Sequence, residues 1–352
     1  MHNDTREVTP ALAFDGRALA DYLRRHVPDV PGPLQVAQFK GGQSNPTYLL
    51  TAADGGRVVL RRKPPGKLLP SAHAVEREFR VMQALRQSPV PVPHMRLLCM
   101  DENVIGTAFY LMDFVEGRIL WNPLLPGMEP AGRAAIFDEM NRVIAALHSV
   151  DHAALGLRDY GKPGRYIARQ VSRWTEQYRA SETERIEAMD KLIAWLPAHI
   201  PAGEEITVVH GDFRLDNLVF HPTEPRILAV LDWELSTLGH PLADFAYHCM
   251  AWRLQPAQFR GLVGGDLAAL GIPGEAAYVA RYCERTGRAP VSPSDWEFYV
   301  AFNMFRLAGI LQGVLARALQ GNASSAQALE AGRRARPLAE AAWAQVERVF
   351  RH

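Results

Sequence analysis

Apolar positions recur at two spacings along the 352-residue chain. Between residues 36 and 63 they fall in short alternating runs separated by turn residues, Phe39 to Asn45 and Asp54-Gly55-Gly56. That pattern predicts an antiparallel meander with strands at 47–51 and 57–62. Two further strands, 97–100 and 109–112, flank the turn Asp101-Glu102-Asn103. Helical spacing appears at 14–26, with Leu19, Tyr22 and Leu23 on one face behind Asp15 as N-cap, and at 74–86, with Phe79, Met82 and Leu85 aligned. From Gly117 onward helical spacing dominates: 132–149, 166–196 as one or two helices, 239–252, 294–319 and 330–350. Ser294 to Glu297 reads as a capping box opening the longest of these. Three short apolar runs interrupt the helices, at 206–209, 218–220 and 227–231. The last two flank Pro222 and Pro225 and predict a β-hairpin. The expected class is α+β, with a sheet-rich part at 1–116 and a larger helical part at 117–352.

Composition narrows the options. A hydrophobic share of 48% is ordinary for a globular protein, and a net charge of +1 points to neither a nucleic-acid nor a membrane partner. Cys99, Cys249 and Cys283 are dispersed, which argues against a disulfide framework or a cysteine zinc site and suits a reducing cytoplasm. The polar start MHNDTREV is unlike a secretory leader. The apolar stretch 298–319 contains Asn303, Arg306, Gln312 and Arg317, so a buried helix is expected before a membrane span. Arg306 then needs a partner, with a core ion pair favoured over contact to an anionic acceptor.

The chemistry concentrates in VVHGDFRLDNLVFHPTEPRILAVLDWE, residues 208–234. Asp212 and Asn217 stand five apart across a loop, and Asp232 comes after the second hairpin strand. Phosphoryl transfer needs a carboxylate to orient or deprotonate the attacking hydroxyl, and an amide and a second carboxylate to hold Mg²⁺ against phosphates. H-G-D-x-x-x-x-N followed by D-W-E supplies these groups in the order of the kinase segments H-R-D-x-x-x-x-N and D-F-G. Surface turns also favour Asp and Asn, but three such residues in this order, each at the end of an apolar strand, are better explained by chemistry.

HGDFRLDN, LDWE and GHPLADFAY together resemble the aminoglycoside/choline phosphotransferase-like kinases. LDWELSTLGHPLADFAYHCMAW is most similar to the branch whose kinase domain is fused, in some proteins, to acyl-CoA dehydrogenases. The likeness runs from about Ala37 to about Leu319 and implies a protein-kinase-like, two-lobed fold with a small antiparallel N-lobe and a helical C-lobe. It implies ATP and Mg²⁺, with Asp212 catalytic and Asn217 and Asp232 on the metal. Gly41, Gly42, Ser44 and Asn45 would close over phosphates. Arg61 would pair with phosphate oxygens and with Glu78 on the next helix. Arg62 or Lys63, and Glu76, are the alternatives, because strand sides alternate. Backbone groups around Met112, Asp113 and Phe114 would meet adenine. Asp244 would brace the catalytic loop, His148 would be structural, and Arg165 and Arg169 would face the acceptor. The implied acceptor is a small molecule, a hydroxyacyl-CoA phosphorylated on its chain hydroxyl, with a separate acyl-CoA dehydrogenase in the same pathway. An aminoglycoside or polyol kinase and a nucleotide-binding pseudokinase are the competing readings.

Overall fold

A computed structural model of the chain describes residues 4–40, 45–66, 73–321 and 328–350. Ten strands are present among them: β1 Thr5–Arg6, β2 Gln35–Phe39, β3 Thr47–Thr51, β4 Arg57–Arg62, β5 Met95–Cys99, β6 Phe109–Asp113, β7 Thr207–Val209, β8 Leu218–Phe220, β9 Ile227–Val230 and β10 Thr237–Gly239. The helices are α1 Gly16–His26, α2 Val75–Leu85, α3 Pro130–His148, α4 Tyr166–Ala180, α5 Glu187–Trp195, α6 Pro241–Cys249, α7 Pro256–Phe259, α8 Leu267–Leu270, α9 Glu275–Thr286, α10 Pro293–Leu319, α11 Ala328–Gly332 and α12 Ala335–Phe350. The chain forms two compact units. The first takes Met1–Leu120, Ala153–Leu157 and Asp216–Ser236; the second takes Trp121–His152, Arg158–Leu215 and Thr237–His352.

The first unit holds a six-stranded antiparallel sheet in the order β1-β2-β3-β4-β6-β5. Strand alternation gives it two different faces. Tyr48, Leu50, Val58, Leu60 and Leu111 share a buried cluster with Leu19 and Leu23 of α1. Asp15 caps that helix by accepting the N–H groups of Arg17 and Ala18, as its sequence suggests. Arg61 and Arg62 are neighbours on β4 and therefore point to opposite faces. Arg62 donates to the carbonyls of Ile105 and Leu12, with its guanidinium 5.1 Å from the Phe14 ring centroid. Arg61 reaches Glu78 of α2 instead.

The same unit contains the hairpin read from the two apolar runs. β8 and β9 pair antiparallel with Leu218 opposite Val230 and a register shift between Val219 and Phe220. Gly117, at the end of the linker after β6, passes against this hairpin. A Cβ there would lie 2.4 Å from the Phe220 carbonyl oxygen, so only glycine fits. The neighbouring residue Arg118 forms an isolated bridge with Phe220. The segment Asp216–Ser236 thus belongs with the sheet unit, whereas the sequence reading divided the chain once, near Glu116.

In the second unit α10 is the central helix, packed by α4, α6, α11 and α12. It is long and apolar enough to cross a membrane, but 83% of its apolar window is buried inside the protein. Its N-cap is Ser292, whose hydroxyl accepts the Asp295 N–H, with Pro293 in the first turn. The cap expected at Ser294 lies two residues earlier, with Pro293 in the first turn, where proline is favoured. Residues 166–196 form two helices rather than one, and β10, paired with β7, was not expected.

Candidate active site

The hairpin of the first unit places two of the expected metal ligands. The register sets Leu231 beside Asn217, and the Leu231 N–H donates to the Asn217 carbonyl at 2.8 Å. Asp232, the next residue, has φ 65° and ψ 63°, a left-handed conformation unfavourable for a non-glycine residue. The neighbouring Trp233 holds that strain in place: it is 1% exposed, and its indole N–H donates to the Val230 carbonyl at 2.9 Å. Such outliers gather at functional sites because only a firmly packed surround maintains them.

Arg61 joins this hairpin to α2. Its Nε lies 3.0 Å from Glu78 Oε2, and its Nη2 donates to Asp232 Oδ1 at 2.7 Å and to Glu234 Oε2 at 3.4 Å. Glu78 is 1% exposed, and its oxygens also accept from Asn45 Nδ2 at 2.8 Å and from the Tyr110 hydroxyl at 3.1 Å. Burial acts to lower the Arg61 pKa, but the carboxylates of Glu78 and Asp232 outweigh it, so the guanidinium stays charged. Burial pushes the Glu78 carboxyl up against the pull of Arg61. Of the competing cations, Arg62 serves the opposite face and Lys63 pairs with Glu76 at 3.1 Å.

The other residues expected to meet the nucleotide have varied surroundings. Gly41, Gly42 and Ser44 lie outside the described residues. Asn45 is fully buried, with its amide spent on Glu78 and on His73. Met112 and Asp113 end β6; the Asp113 side chain pairs with Arg96 and with His94 at 3.4 Å. Phe114 carries the Arg57 guanidinium 4.5 Å from its ring centroid.

Asp212 belongs to the second unit, on the turn after β7. Gly211 has φ 83°, which explains glycine where kinases carry arginine. Asp244, in the first turn of α6, accepts the N–H groups of His210 at 2.7 Å and Gly211 at 2.8 Å, so the expected bracing is present. His148 Nε2 lies 3.1 Å from the same carboxylate, and its Nδ1 lies 2.7 Å from the Tyr282 hydroxyl. This histidine is a buried support. Arg306 departs from the favoured expectation: its Nη2 donates to the Gly211 carbonyl at 2.8 Å rather than to a carboxylate. Its guanidinium packs 5.1 Å from the Tyr247 ring centroid and 5.5 Å from that of Trp174, so aromatic faces and a carbonyl replace the ion pair.

The Asp212 carboxylate is engaged on both oxygens. The Tyr247 hydroxyl donates to Oδ1 at 2.5 Å, and Arg214 Nε lies 3.2 Å from Oδ2. Tyr247, Arg214 and Tyr110 were not singled out from sequence. The signal available for Tyr247 was its place three residues after Asp244, which puts both side chains on one helix face.

Two cavities adjoin the start of α4. One, of about 470 Å³, is lined by Pro163, Gly164, Arg165, Ala168, Arg169 and Ser172. Arg169 folds back onto the carbonyls of Lys162 at 2.7 Å and Pro163 at 3.2 Å. The other, of about 310 Å³, includes Lys162 and Arg165 but also Glu204 and Glu205, so acids accompany the cations.

Comparison with known proteins identifies the family and the fold. Residues 35–280 match the phosphotransferase enzyme family. The chain is 51% identical over 344 residues to mouse acyl-CoA dehydrogenase family member 10, covering 97% of this chain and 32% of that relative. It spans 44% of the rat family member 11, at 46% identity, so it corresponds to under half the length of these curated relatives. A crystal structure of a candidate aminoglycoside phosphotransferase from Ralstonia eutropha shares 59% identity and a TM-score of 0.87, covering 96% of this chain and 99% of that one. Choline kinase from Cryptosporidium parvum, at 14% identity, shares the fold with a TM-score of 0.63 over 96% and 97% of the two chains. The sheet unit and the helical unit are those of a kinase-like α+β fold, and the chain belongs to the phosphotransferase enzyme family.

Proposed function

We propose that the protein transfers the γ-phosphoryl group of ATP to the hydroxyl of a small molecule, a hydroxyacyl-CoA, in a Mg²⁺-dependent reaction. The observation that carries this reading is the state of Asp212, a carboxylate held through both oxygens and through the backbone of the residues before it. Such a group orients an attacking hydroxyl and accepts its proton.

The donors offered by Asn217 and Asp232 are an amide oxygen and a carboxylate, both hard. Mg²⁺ takes one or two protein carboxylates together with phosphate oxygens and water. Asp232 Oδ1 already accepts from the Arg61 guanidinium, whose charge opposes a second cation there, so the fit rests on the hard oxygen donors themselves. The residues therefore fit the ion, which when bound would neutralise charge on the phosphates. Arg61, kept in place by Glu78, would contact phosphate oxygens. Backbone groups at Met112, Asp113 and Phe114 would receive adenine, and Gly41, Gly42, Ser44 and Asn45 the phosphates.

The acyl-CoA acceptor is supported by relatives named for acyl-CoA dehydrogenation and by the arginine-lined cavity at Arg165 and Arg169. In this reading the reaction is cytoplasmic, in keeping with the dispersed cysteines, and a separate acyl-CoA dehydrogenase acts in the same pathway. The name of the Ralstonia protein favours a second reading, an aminoglycoside or polyol acceptor, which the acids Glu204 and Glu205 would suit. The two are separated by measuring ADP release from Mg·ATP with hydroxyacyl-CoAs, polyols and aminoglycosides. Saturable turnover with a hydroxyacyl-CoA alone is expected. Turnover with only a polyol or aminoglycoside would reject the acceptor and keep the kinase; no ADP release with any of them would reject both.

A further inference from the structure

Tyr247 lies outside the HGD and DWE segments, yet its hydroxyl donates to Asp212 Oδ1 at 2.5 Å. It sits on α6 three residues after Asp244. The two side chains leave one face of the helix and grip one loop: Asp244 by the N–H groups of His210 and Gly211, Tyr247 by the carboxylate of Asp212. Arg306 ties the arrangement together, since its guanidinium donates to the Gly211 carbonyl and lies against the Tyr247 ring. Residues 210–212 are thus held by their N–H groups, a carbonyl and a side chain, all from α6 and α10.

A buried tyrosine needs a partner for its hydroxyl, and a backbone carbonyl is enough for packing alone. Here the partner is an ionised group, which makes the bond charge-assisted and short. Burial pushes the Tyr247 phenol far up, and the charge of Asp212 pushes it further. The hydroxyl therefore keeps its proton and donates a hydrogen bond to Asp212. With Oδ1 taken by Tyr247 and Oδ2 beside Arg214, rotation of the carboxylate would break both contacts.

We propose that Tyr247 is a positioning residue for phosphoryl transfer, whose hydroxyl locks the Asp212 carboxylate in its productive rotamer. This rests on the reading of Asp212 given above. A charge-assisted hydrogen bond of this kind and the orientation it secures are worth about 10–100-fold in rate.

The test compares the protein with Tyr247→Phe, Asp212→Asn and the double variant, reading ADP release from Mg·ATP with a hydroxyacyl-CoA and with water as acceptor. Tyr247→Phe is expected to lower kcat about 10–100-fold and to leave KM for Mg·ATP within about twofold. In the Asp212→Asn background the same change should cost under about threefold, because the ionised partner is gone. An equal penalty in both backgrounds would mean that the tyrosine serves only the fold, and would overturn the proposal; so would an unchanged kcat in Tyr247→Phe. As a second variant, 3-fluorotyrosine at position 247 keeps the packing and the hydroxyl and should hold kcat within about threefold; a loss as large as that of Tyr247→Phe would also overturn it. If Asp212→Asn itself turns over normally, the failure lies in the reading of Asp212.

Discussion

At the scale of single residues, the strongest statements concern buried charge. Arg61 neutralises Glu78, which has almost no access to water. Removing one partner of a buried ion pair leaves the other uncompensated, a loss of about 3–5 kcal/mol. Arg61→Ala should therefore lower the urea midpoint sharply before any question of activity arises, and an unchanged midpoint would show that Glu78 is held by Asn45 and Tyr110 alone. Asp212 is the opposite case, because the work proposed for it is chemical. Asp212→Asn keeps the shape of the side chain and should reduce turnover by about 10²–10⁴, with ATP affinity retained. Steady-state kinetics with Mg·ATP as the varied substrate gives both quantities.

Among the elements, α6 carries the groups that make stability depend on pH. His248 lies on it and His240 is its N-cap, and burial holds each near a pKa of about 4 instead of the usual value near 6.5. His148, facing Asp244 of the same helix, is also lowered, by burial first. A histidine whose folded pKa is depressed binds fewer protons in the folded chain than in the unfolded one. Its contribution to stability is therefore present above the unfolded pKa and is lost as pH falls from about 6.5 towards about 4. His240 and His248 should each remove about 1–2 kcal/mol between pH 7 and pH 5. Chemical denaturation at the two pH values checks this, and equal midpoints would contradict the neutral burial of these rings.

For the whole molecule, the relevant quantity is linkage between ligand and stability. A ligand that binds only the folded chain stabilises it by RT ln(1 + [L]/Kd), about 2.7 kcal/mol at a hundredfold excess over Kd. Mg·ATP should raise the thermal midpoint, and ATP with a chelator should raise it less. Asp232→Ala should abolish the difference between the two. Equal midpoint shifts with and without Mg²⁺ in the unaltered protein would remove Asn217 and Asp232 from their metal role.

Much of the architecture could be read along the chain because it is local. The meander, α1 with its Asp15 cap, α2, and the hairpin from Leu218 to Val230 arise from periodicity and turn chemistry, which act within a few residues. The order of Asp212, Asn217 and Asp232 was legible for the same reason: each lies close to one end of a short apolar strand. What the sequence could not decide are matters of partner choice over long separations. Arg306 was expected to meet a carboxylate, and only the packing of α10 against Trp174, Tyr247 and the Gly211 carbonyl shows that it does not. Arg61 was preferred by resemblance, with Arg62 and Lys63 as alternatives, and strand alternation and helix placement assign the three to Glu78, to the Ile105 carbonyl and to Glu76. The hydroxyl of Tyr247 meets Asp212 across 35 residues of chain. Such contacts depend on where whole elements settle as apolar surface is buried, and no short-range spacing encodes them.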